Sequence, residues 1–155
     1  MDFLRPDVGS GWSNDNMIRF LLREGKVAEA RDALAKLHDD PGYIKFYKTC
    51  LNRPSPQSFS AEFNRDVRDQ MSSFEANPDP ENRYLIATDL AYCGEKDAAL
   101  QLLKSAIDGK YCAYVAMQKD PMLASLRGTP EFTQLLSAAK QCQDNFLAER
   151  AQLPH

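Results

Sequence analysis

Apolar residues recur at helical spacing over most of this chain. Val27, Ala30, Leu34 and Leu37 fall on one side of a helix, as do Phe63, Val67, Met71 and Phe74. A third stripe joins Phe132, Leu135, Leu136, Ala139, Cys142 and Phe146. Steps of three and four residues are the signature of one buried helix face, and the stripes read as core packing with no cofactor attached. Proline and glycine punctuate them. Five prolines follow a good capping residue: Asp40-Pro41, Ser55-Pro56, Asp79-Pro80, Asp120-Pro121 and Thr129-Pro130. The side chain of such a residue accepts from a free N–H of the first turn, and proline at the first helical position has no N–H to waste. Ser13, ahead of Asn14 and Asp15, is a sixth candidate cap. Gly25, Gly94 and Gly109 each close a periodic stretch, where a left-handed residue ends a helix at little cost. These signals predict helices at 14–24, 27–38, 42–53, 57–76, 80–93, 95–108 and 130–150, with one or two short ones between 111 and 127. Short connections make successive helices antiparallel neighbours.

Composition sharpens the fold class. The chain has 18 Ala and 17 Leu against 4 Val, 4 Ile and 4 Thr. Ala and Leu lose little freedom in a helix, whereas strands favour β-branched side chains, so an all-α chain is predicted. The net charge of -3 supplies no basic field for nucleic acid or anionic lipid. Residues 55–95 form the acidic stretch, with 3 Lys/Arg against 8 Asp/Glu. No apolar run approaches the roughly 20 residues that span a bilayer. The start lacks the basic and apolar regions of a signal peptide, so a cytoplasmic setting without membrane contact is expected. Pro6, Gly9 and Gly11 make residues 1–12 read as a linker. Cys50, Cys93, Cys112 and Cys142 form no CxxC pair. Structural zinc sites announce themselves by close ligand spacing, so no metal is expected and the cysteines read as reduced core thiols.

Gly25 and Gly94 sit in similar settings, REGKVAEARDALAKL and YCGEKDAALQLLKSAI, 69 residues apart. That is twice a period of about 34 residues, the length of a tetratricopeptide unit. In the third unit Ala87, Ala99 and Ala106 fall on the three small positions of that repeat, with Leu90 and Gly94 in register. In the first unit Gly25 and Ala30 match, while Ile18 and Leu37 take the other small positions. The middle unit, 42–78, keeps its length and its proline-bounded helices. Over residues 13–108 the chain therefore resembles the tetratricopeptide-repeat family. The segment MQKDPMLASLRGTPEFTQLL is similar to the tail that follows the last repeat in many bacterial multidomain signalling proteins, of serine/threonine kinase or winged-helix regulator type. The resemblance implies a helical-hairpin superhelix of three repeats, with 109–155 as C-terminal capping helices over an otherwise exposed apolar face.

No catalytic constellation accompanies this framework. His38-Asp39-Asp40 lies at a helix end, where His suits the C-terminal dipole and Asp40 caps the next helix. No P-loop, GxGxxG or HExxH is present, so neither an enzyme nor a cofactor is expected. The family resemblance implies a concave groove for a peptide or partner helix, lined by the first helix of each hairpin. Its positions carry Trp12, Asp15, Arg19, Leu22 and Arg23 in the first unit, and Lys45, Tyr47 and Lys48 in the second. In the third unit they carry Glu81, Tyr84, Thr88, Ala91 and Tyr92. Asp15 and Glu81 stand where chaperone-binding members use Lys and Asn to clamp a carboxylate, which disfavours that activity. A protein–protein interaction module is the leading expectation. Self-association is the alternative, and a small molecule held in the inter-helix cleft comes third.

Overall fold

The computed structural model describes residues 14–37, 42–52 and 61–154. These are helical with no strand among them. The expected Ser13, Asp40-Pro41 and Ser55-Pro56 caps lie outside the described residues. The chain divides into two compact units, 1–53 and 54–155. The boundary falls inside the expected middle hairpin.

The first unit holds α1 (Asn14–Arg23), α2 (Val27–Ala35) and α3 (Gly42–Leu51). Ile18, Leu22, Ala30, Leu34, Tyr47 and Leu51 are buried. Two side chains satisfy carbonyls that the helix ends leave free. Lys48 Nζ donates to the Leu37 carbonyl at 3.0 Å, and Arg31 Nε to the Leu51 carbonyl at 2.9 Å. Each places a cation at the negative end of a helix dipole.

The second unit holds α4 (Ala61–Glu75), α5 (Pro80–Tyr92), α6 (Lys96–Asp108), α7 (Tyr114–Lys119), a 3₁₀ helix (Pro121–Leu126) and α8 (Pro130–Ala151). Its three described Pro-preceding caps form as the sequence predicts. Asp79 accepts from the Glu81 N–H, Asp120 from the Met122 N–H and Thr129 from the Phe132 N–H. The α5–α6 hairpin is the centre of the unit, and Ala87, Ala99 and Ala106 are all buried there. Small side chains at such buried positions let paired helices approach closely.

Three turns share one hydrogen-bond pattern. Lys26 N–H donates to Leu21 O at 2.8 Å and Gly25 N–H to Leu22 O at 3.1 Å. After α5, Glu95 N–H donates to Leu90 O at 2.8 Å and Gly94 N–H to Ala91 O at 3.1 Å. This is the Schellman closure, with glycine in the left-handed region, at φ +72° for Gly25 and +87° for Gly94. After α6 the same closure is shifted by one residue. Lys110, not Gly109, is left-handed, at φ +70°, and Tyr111 N–H donates to Ala106 O. Gly109 is required for space instead. A Cβ there would lie 2.5 Å from Arg83 Nη2 and 2.9 Å from Pro80 Cβ, where the start of α5 meets the end of α6.

The expectation of reduced thiols is overturned. Cys112 and Cys142 are disulfide-bonded, with Cα atoms 5.4 Å apart, and among the described residues no cysteine is a free thiol. Both cysteines of this pair are only half-buried, so apolar burial of isolated thiols is not their arrangement.

Candidate functional site

The expected groove residues fall into three local groups. Trp12 lies outside the described residues, as do the side chains of Asp15 on α1 and Lys45 on α3. On α1, Arg19 and Leu22 are buried and Arg23 is half-buried. Arg19 Nη1 donates to Asn16 Oδ1 at 3.2 Å, one turn back along the helix. On α3, Tyr47 is buried and Lys48 is occupied with the end of α2. On α5, Glu81 is exposed in the first turn and Tyr92 is half-buried, whereas Tyr84, Thr88 and Ala91 are buried.

What covers this face of α5 is the C-terminal segment of its own unit. Tyr84 donates its hydroxyl to Asp120 Oδ2 at 3.4 Å, and its ring lies 5.3 Å from that of Tyr111. Ser125 Oγ donates to the Ala91 carbonyl at 3.0 Å. Thr88 turns its hydroxyl back to the Leu85 carbonyl at 2.7 Å, a local bond that leaves its methyl for the core. Asp120 therefore has two tasks, capping the 3₁₀ helix and accepting from α5. Arg127 fixes the other end of this segment. Its Nε donates to Gln118 O at 3.1 Å and its Nη2 to Asp120 O at 2.7 Å. The DP…LxxLR tail is thus a folded clasp over the α5 positions that the resemblance assigns to a groove.

An open cleft lies elsewhere in the same unit, between α6 and α8. It has a volume of about 460 Å³. Its floor is apolar: Leu100, Ile107, Leu135 and Ala138. Its rim is polar, with Gln101, Lys104, Asp108, Glu131 and Gln134. Lys104 and Asp108 pair across one helical turn at 2.6 Å on the exposed surface. Gln101 donates to the Glu75 carboxylate, which ties this rim to α4. The periodicity that placed Leu135 in an α8 stripe was the sequence signal for this floor. Its pairing with α6 could not be read from spacing alone.

Among the described residues no group of three or more His, Cys, Asp or Glu could hold a metal ion, and no helix is long and apolar enough to cross a membrane. His38 lies outside the described residues. The Asp144 carboxylate, hydrogen-bonded to Lys140, holds that ammonium above its ordinary pKa on an exposed face of α8. No family model, curated protein or solved structure matches this chain.

Proposed function

We propose that this chain is a non-catalytic protein–protein interaction module of tetratricopeptide-like helical hairpins, and that it receives a peptide or partner helix in the α6–α8 cleft. The observation that carries this reading is the cleft itself, an apolar floor inside a charged and amide rim. That is the arrangement by which helical grooves take an amphipathic segment: apolar anchors supply affinity and rim groups set register. With Lys104 already paired to Asp108, Glu131 is the rim charge available to a cation on the partner. The bound segment is then an apolar helix face bordered by Lys or Arg. The matching turns after α1 and α5 and the buried alanines of α5 and α6 support the repeat assignment. The tail resemblance supports a place in a larger bacterial signalling or regulatory protein.

Site-specific photocrosslinking in the source cell tests this. A photoreactive residue at Gln101 or Gln134 is expected to give one discrete protein adduct, lost when Leu135→Asp is added. A crosslinker at exposed Lys119 should give no such adduct. Equal labelling from all three positions would refute the cleft as the docking surface.

A second reading, self-association, is favoured by a separate observation. Phe146, Leu147 and Leu153 are exposed on the last part of the chain. Sedimentation velocity at tens of micromolar decides it: a dimer that Phe146→Asp dissociates supports pairing through this end, and a strict monomer removes it.

A further inference from the structure

The Cys112–Cys142 bond joins the short connection between α6 and α7 to the second half of α8, across 30 residues of chain. Its position along α8 is informative. Phe132 and Ala139 are buried, and Cys142 and Gln143 are half-buried. From Asp144 to Pro154 every residue is exposed. Apolar packing thus holds the first half of the helix, and the disulfide sits where that packing stops. Among the described residues no cysteine is left as a free thiol. Disulfides persist in oxidising compartments and are rare where thiol reductants dominate.

We propose that this domain works in an oxidising compartment, where Cys112 and Cys142 are a substrate pair for a thiol–disulfide oxidoreductase. One cysteine, as thiolate, attacks the enzyme's disulfide, forming a mixed disulfide and releasing one enzyme thiolate. The second cysteine loses its proton and attacks the chain's sulfur in that mixed disulfide. The Cys112–Cys142 bond forms and the second enzyme thiolate leaves. The chain gives up two protons and two electrons, and the enzyme's disulfide takes them up as a dithiol. Half-burial of both cysteines leaves them within reach of that enzyme. This assignment does not depend on the cleft, and it replaces the cytoplasmic setting expected from the sequence.

The test is thiol trapping of the full chain in its source cells, by acid quench and alkylation before any reductant is added. Peptide mapping is expected to recover Cys112 and Cys142 unalkylated and joined to each other. Recovery of both as alkylated thiols would overturn the proposal. Hydrogen exchange adds a structural arm. In Cys112→Ser/Cys142→Ser, amides 143–151 should exchange at least about tenfold faster. Unchanged exchange at 143–151 would show that the bond does not hold the helix. Should the variant fail to fold, trapping on the native chain still decides the proposal.

Discussion

Gly109 and Lys110 show how finely the end of α6 is set. Gly109→Ala is expected to destabilise by about 1–3 kcal/mol, because its Cβ would enter the space of Pro80 and the Arg83 guanidinium. Lys110→Gly should stabilise by up to about 1 kcal/mol, since glycine relieves the left-handed conformation at φ +70°. Chemical denaturation of both variants checks the two signs. Asp120→Ala removes the cap of the 3₁₀ helix and the acceptor of Tyr84, and should cost about 1–2 kcal/mol. Individual capping residues were legible in the sequence because a cap is a local event. Asp79, Asp120 and Thr129 each needed only the proline and the two or three residues after it. The role of Gly109 was not legible, because the groups that crowd it come from the start of a different helix.

At the scale of elements, helix positions followed from periodicity and breakers to within a few residues at the described ends. The face each helix buries was harder to read. Tyr84 to Tyr92 is nearly apolar all round, broken by Thr88 and Asp89, and both of those are buried. A helix apolar on every side is enclosed on every side. That signal was present, yet repeat register alone assigned Tyr84, Thr88 and Ala91 to an open groove. The disulfide escaped because the apolar helical setting of the four cysteines and the expected cytoplasmic environment read them as reduced core thiols, and spacing alone chooses none of their three complete pairings. Its energetic effect is expected to be large. Closing a loop of 30 residues should contribute about 3–4 kcal/mol, so Cys112→Ala/Cys142→Ala should unfold at markedly lower guanidinium concentration. The exposed Lys140–Asp144 pair is a contrast. Removing it should lower the midpoint only slightly, as for most surface pairs. Its raised lysine adds stability below the ordinary lysine pKa, lost only as pH rises through the higher folded value.

For the molecule as a whole, the C-terminal segment governs where a partner would sit. The C-terminal segment both covers the α5 face and contributes α8 to the cleft, so one tail closes one surface and builds another. Hydrogen exchange of the full chain, alone and with the partner captured by crosslinking, tests this most directly. The expected footprint is slowed exchange across 100–108 and 131–138, with the largely buried 84–92 unchanged. Protection confined to 84–92, with the α6–α8 amides unaffected, would contradict the cleft and return the binding surface to α5.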